Sequence, residues 1–169
     1  AFAPKVDYTL PASAYTIDAG DLDGDGKPDI AMGGNANSIY ILRNTSSVGT
    51  ISFASTITIP TVLAPRGIAI GDISGDGWAD IAIVDHFNSI LSIHRSTSIL
   101  GSITFAPRVN YFTETGPWGV SLGDLDGDLK SEVVVANYED TTISVFRNIS
   151  TGGAISFAPK IDYSTDNRT

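Results

Sequence analysis

The chain contains no cysteine, which removes disulfides, thiolate metal sites and cysteine nucleophiles together. It has only two histidines, His86 and His94, and they do not form a pair at metal-loop spacing. His94 sits in a strand-like stretch and reads as a packing residue. Serines are plentiful, but no nucleophile elbow and no triad accompany them, so no enzyme is expected. Basic residues are scarce: 10 Lys plus Arg stand against 19 Asp plus Glu, for a formal charge of −9. Phosphate recognition needs clustered cations, so nucleic acid is not expected as a partner. The longest apolar runs are only a few residues, too short for membrane insertion as a helix. No segment carries a convincing helical period.

What the chain does have is a repeat. "AGDLDGDGKPDIAMGG" at 19 returns as "IGDISGDGWADIAIVD" at 70 and "LGDLDGDLKSEVVVAN" at 122. Asp21, Asp72 and Asp124 are spaced by 51 and 52 residues. Phe2, Phe53, Phe105 and Phe157 follow the same period, as do Arg43, Arg95 and Arg147. Each unit reads as four short strands. "YTIDA", "GIAIG" and "WGVSL" come first; "DIAMG", "DIAIV" and "EVVVA" follow the acidic loops. "SIYILR", "SILSIHR" and "TISVFR" come third, and the "FAPKIDY" type of segment comes fourth. Gly, Asn, Ser and Thr fill the joints. Four short strands in about 50 residues fit one propeller blade.

The expected fold is therefore all-β: three four-stranded β-propeller blades, approximately 10–59, 60–111 and 112–163. Residues 1–9 match the end of a blade and are expected to be a spare outer strand. Known propellers close with about four to eight blades, so three do not easily make a ring. The chain is then expected either to self-associate or to meet further blades of a parent chain. Ile17, Ile30, Val133 and Val145 are expected on the open flanks.

Each acidic loop places oxygen-bearing residues at its first, third, fifth and ninth positions. In the first loop these are Asp21, Asp23, Asp25 and Asp29, with Lys27 at the seventh. The second has Asp72, Ser74, Asp76 and Asp80 around Trp78, and the third Asp124, Asp126, Asp128 and Glu132 around Lys130. Such spacing suits a hard cation with six to eight oxygen ligands, the seventh residue adding its backbone carbonyl. Calcium fits better than zinc, because the loops lack His and Cys. An EF-hand is excluded, since its twelfth-position Glu is replaced by Met32, Ile83 and Val135, and a strand follows in place of a helix. The loops are not equal. Ser74 removes one charge, and Leu129 stands where the other two loops have Gly26 and Gly77.

These loops, with the returning "FAP" segments, resemble the FG-GAP/VCBS repeats of integrin-α-like β-propellers, over nearly the whole chain. The resemblance implies that each loop joins the first two strands of a blade and holds one Ca²⁺, about three in all. It implies an extracellular or cell-surface setting, and adhesion or binding of a protein or glycan ligand. The rival expectation is a calcium-stiffened scaffold with no ligand of its own.

A ligand face is expected opposite the calcium loops. There the connections from strand four to strand one carry Tyr15, Arg66 and Trp118 at aligned positions. Those from strand two to strand three carry Asn35 and Asn37, then His86 and Phe87, then Asn137, Tyr138 and Glu139. Aromatics beside amides and charges can stack on sugars or anchor a protein.

Overall fold

The computed structural model describes residues 4–34, 36–61 and 65–165. The described residues form three four-stranded antiparallel sheets and no helix. Blade one holds β1 (Ala14–Gly20), β2 (Asp29–Gly34), β3 (Ser38–Leu42) and β4 (Ile57–Pro60). Blade two holds β5 (Pro65–Gly71), β6 (Asp80–Asp85), β7 (Ile90–His94) and β8 (Val109–Phe112). Blade three holds β9 (Pro117–Gly123), β10 (Glu132–Asn137), β11 (Thr142–Phe146) and β12 (Ile161–Ser164). Within each sheet the strands lie in chain order.

The first strands stack side by side, β1 against β5 and β5 against β9. They come close enough to require glycine: a Cβ on Gly67 would sit 2.9 Å from the Trp118 carbonyl oxygen and 3.0 Å from the Val120 nitrogen. Among the described residues no comparable packing joins β9 back to β1. The blades form an open arc, not a closed ring.

A blade with neighbours on both sides must be apolar on both faces. β6 shows this directly. Ile81 and Ile83 face blade one and join Leu22, Ile39, Ile41, Ile68 and Ile103. Ala82 and Val84, on the alternate face, join Ile73, Leu91, Ile93, Val133, Val135 and Phe146. Leu22 and Ile73 are equivalent by the repeat and both fully buried. Their counterpart Leu125 in blade three is 61% exposed, and Tyr163 beside it is 51% exposed. Blade three thus presents outward the face that blades one and two bury.

The free side of blade one is treated differently. Met32, Tyr40 and Leu42 are covered by Leu10, Ala12, Ala36 and Phe53. Tyr8 sets its ring edge-on to Phe53 at 5.0 Å and donates its hydroxyl to the Ile51 carbonyl at 3.1 Å. Residues 4–10 form no strand in this structure, which corrects the expected spare outer strand; Phe2 lies outside the described residues. The segment lies across the sheet face as a cover, with Leu10 packed against the Met32, Tyr40 and Leu42 cluster. The flank residues also need correction. Ile17 is exposed and Val145 half-buried on the open side of blade three, but Ile30 is half-buried near the cover. Val133 is fully buried against blade two.

The fourth strands begin later than the sequence suggests. Phe53, Phe105 and Phe157 make only single bridges, to Asn44, Ser96 and Asn148. Ladder pairing resumes four residues on, at Ile57, Val109 and Ile161. Pro107 and Pro159 lack the N–H that a continuous ladder would need.

His94 is a packing residue, 3% exposed, with Nε2 unpartnered. Burial pushes its imidazole down to about 4, helped by the Arg108 charge. The unfolded chain takes up this proton near pH 6.5 and the folded chain only near 4. Stability should therefore fall as pH drops from about 6.5 to about 4. Urea melts across that range should show a flatter slope for His94→Leu, the residue that blade one carries at this position as Leu42. An unchanged slope would refute the assignment. The open face predicts a second contrast. Ile73→Ala should cost about 2–5 kcal/mol, and Leu125→Ala under about 1 kcal/mol. Equal losses in urea denaturation would contradict an open third blade.

Candidate functional site

The acidic loops join the first and second strands of each blade, at one end of every sheet. Their shape is set by the first carboxylate. Asp21 accepts the N–H groups of Gly24 and Gly26, both at 2.8 Å. Asp72 does the same for Gly75 and Gly77, and Asp124 for Gly127 and Leu129. Folding the chain back on its own side chain this way forces positive φ at the sixth position: 82° at Gly26, 87° at Gly77 and 68° at Leu129. The fifth acids Asp25, Asp76 and Asp128 each accept the N–H of the seventh residue, Lys27, Trp78 or Lys130. Trp78 also lays its ring against Gly24 of the neighbouring loop, where a Cβ would fall 2.8 Å away.

The ninth acid has a second task. Asp29 accepts from Leu22 N–H at 2.9 Å and from Asn44 N–H at 2.7 Å. Asp80 accepts from Ile73, Ser74 and Ser96, and Glu132 from Leu125 and Asn148. All three are buried, and each ties the loop to the chain leaving the third strand. Burial, the largest influence, pushes the Asp29 and Asp80 carboxyls above the ordinary range.

Oxygens of Asp21, Asp23 and Asp29 lie within 4.8 Å of one another, as do those of Asp124, Asp126 and Glu132. In the second loop Ser74 replaces the third acid, and its buried hydroxyl oxygen has no hydrogen-bond partner. A buried, orphaned oxygen is costly unless something meets it. The donors are all oxygen, and this set fits a hard divalent cation of the calcium class.

Sequence reasoning missed the arginines, which served only as period markers. Each leaves the third strand toward its own loop. Arg43 hydrogen-bonds Asp23 and approaches Asp25 at 3.4 Å. Arg95 lies 3.5 Å from Asp76, and Arg147 3.9 Å from Asp126. The recurrence of Arg immediately after each third strand was the available signal.

At the other end of the sheets, Tyr15, Arg66, His86, Phe87, Trp118 and Tyr138 come together from all three blades. The Arg66 guanidinium lies 4.6 Å from the Tyr15 ring centre, 5.1 Å from Trp118 and 5.7 Å from Phe87. His86 packs edge-on to Phe87 and Trp118, and its Nε2 is 3.3 Å from Glu139. Tyr138 tilts against Trp118 at 5.8 Å. Asn137 instead turns inward to the hydroxyls of Thr142 and Ser144. Asn37 contributes its backbone carbonyl to the Thr61 N–H, and Asn35 lies outside the described residues.

The family model described as an FG-GAP-like repeat matches residues 21–83, from the first acidic loop through most of β6. Residues 21–83 are similar to an FG-GAP-like repeat. The third unit repeats the same loop and strand pattern beyond the matched span. No curated protein matches the chain.

The latch predicts an uneven response to losing acids from one loop. Asp80→Ala leaves three N–H groups without their acceptor, at about 1–3 kcal/mol for each that stays buried. Asp76→Ala, with no such latch, should cost under about 1 kcal/mol. Both are read by urea denaturation in a chelator, so that no metal contributes. Equal losses would refute the latch. Leu129→Gly should stabilise the chelated protein by about 1 kcal/mol, by relieving left-handed strain; a loss of stability would count against it.

Proposed function

We propose that the chain is a calcium-stiffened set of β-propeller blades that presents its Arg66 face to an extracellular ligand. The observation that carries this reading is the gathering of Tyr15, Arg66, His86, Phe87, Trp118 and Tyr138 at the end opposite the acidic loops. Tyr15, Phe87, Trp118 and Tyr138 remain about half exposed or more, although each is large and apolar enough to bury. Glycan-array and protein pull-down binding test the reading. Loss of capture in Trp118→Ala supports it. Failure of the folded chain to capture anything in either format would sink it.

Calcium stiffens the opposite end. One Ca²⁺ per loop would be held by the first, third and ninth side chains, with the fifth acid and the seventh carbonyl adding oxygens. Carboxylates that repel one another without an ion are relieved by one, so binding contributes to folding. Affinities of roughly 10⁻⁴–10⁻³ M suit an extracellular or cell-surface module. EDTA should lower the melting temperature by several degrees, and calcium should restore it. The first loop should bind most tightly, and Asp23→Ser should weaken it toward the second. Identical melts with EDTA and with calcium, or tightest binding at the second loop, would contradict this.

A scaffold role has its own support in the open side of blade three. Leu125, Ile143, Val145, Ile161 and Tyr163 line an apolar groove there. Burial at about 25 cal/mol per Å² would favour a further blade, from a second copy or from a parent chain. Two copies closing head to tail would give six blades, within the usual range. Light scattering of the calcium-loaded chain decides for this chain alone: a dimer supports closure by a second copy, and a monomer at high concentration rules it out.

A further inference from the structure

We infer that the Arg66 face selects a carboxylated glycan, such as a hexuronic-acid oligomer, by pairing the sugar carboxylate with the Arg66 guanidinium. The inference rests on the recognition reading above and narrows it to one ligand class.

Three aromatic rings around one centre ordinarily make a receptor for a cation. Here the cation is already in place. The Arg66 guanidinium sits beside Tyr15, Trp118 and Phe87 at 4.6–5.7 Å, and no carboxylate among the described residues pairs with it. Its Nε is buried without a hydrogen-bond partner. The nearby acid on this face, Glu139, is engaged instead with His86 at 3.3 Å. An unneutralised guanidinium held in a fixed orientation by rings is arranged for a planar anion, which it can grip with two parallel N–H donors. The chain as a whole carries −9, so an acidic ligand gains nothing from the general field and must be drawn by this local charge.

The surroundings favour a sugar over an acidic peptide. Trp118 is the wall shared between the Arg66 cluster and a groove of about 870 Å³ lined also by Asn137, Tyr138, Glu139, Thr141 and Thr142. That volume accommodates a short oligosaccharide. Exposed Trp and Tyr faces stack on the C–H faces of pyranose rings, and Thr hydroxyls and a carboxylate meet ring hydroxyls. The groove's own lining carries no basic side chain, so a run of acids would meet Arg66 at its edge and no further cation within it.

Isothermal titration with a galacturonic acid tetramer, the neutral galactose tetramer and a Glu-rich peptide tests this, at one fixed calcium concentration. The acidic tetramer should bind, and the neutral one at least about tenfold more weakly, as expected from losing one charge-assisted pair. Arg66→Gln should lose about the same factor toward the acidic tetramer and little toward the neutral one. Arg66→Lys, which keeps the charge without the fork, should fall between them, and unchanged melting of both variants guards against misfolding. Equal binding of acidic and neutral tetramers would overturn the carboxylate pairing and leave ligand recognition standing. Binding of the peptide alone would overturn the glycan class. Silence toward all three probes overturns the inference, and the glycan-array and pull-down results then decide separately whether the face recognises anything else.

Discussion

Each blade depends on one buried carboxylate. Asp29, Asp80 and Glu132 open the second strand, yet their oxygens accept N–H groups from the loop behind them and from the chain beyond the third strand. Three segments that are distant in sequence are thereby fixed at one point. The geometry allows only an acceptor with two reachable oxygens. Asn would present a donor to at least one of these N–H groups, and an apolar residue would leave them all unsatisfied. Glu132 meets the same demand with a longer side chain, which explains why the third unit tolerates Glu where the other two have Asp. The acid that a ligand-counting view assigns only to a metal is therefore also the tie that closes the hairpin onto its neighbour strand.

From that tie the packing follows. With the loop end of each sheet fixed, the alternation along β2, β6 and β10 decides which residues face the preceding blade and which the following one. Period two sends Ile81 and Ile83 one way and Ala82 and Val84 the other. The pairing is asymmetric: the large residues of one sheet meet the third strand of the sheet before it, Ile39 and Ile41 in one case and Leu91 and Ile93 in the next. Repetition makes this contact self-complementary. It also leaves one face over at each end, and the two ends differ. The first is lined by Met32, Tyr40 and Leu42 and carries Leu10 and Ala12 as cover, while the last stays open.

Strand positions were legible because three features recur together: an acid-rich loop, a β-prone run and an arginine. The first three strands of every unit fall within about two residues of where the pattern puts them. The fourth was misjudged. Phe, Val and Tyr have strand propensity, but propensity says nothing about the break in the ladder after the single bridges at Phe53, Phe105 and Phe157, beyond which pairing resumes at Ile57, Val109 and Ile161. The same limit hid the arginines. Linear spacing marks Arg43, Arg95 and Arg147 as equivalent, whereas their approach to the loop acids depends on a hairpin closing in space. The spare strand failed for a different reason. Residues 5–8 match strand-four residues by register, but here Tyr8 packs on Phe53 and bonds the Ile51 carbonyl, so the segment covers a sheet face and pairs with no strand.

The two ends of the sheets obey opposite rules. At the loop end, the first, fifth and ninth positions keep a carboxylate in all three units, because each loop must solve the same hydrogen-bonding problem. At the other end equivalent positions diverge: Tyr15, Arg66 and Trp118 share a register yet differ in charge and size. If that end served only to connect strands, small turn residues would suffice in all three units. Instead the diverged residues contact one another across blade boundaries, Arg66 of the middle blade beside Tyr15 of the first and Trp118 of the third. Such a cluster can form only when the blades are stacked. Its geometry therefore depends on the inter-blade core, and on the carboxylate tie that holds each blade in shape, although no loop acid lies near it in the chain's topology.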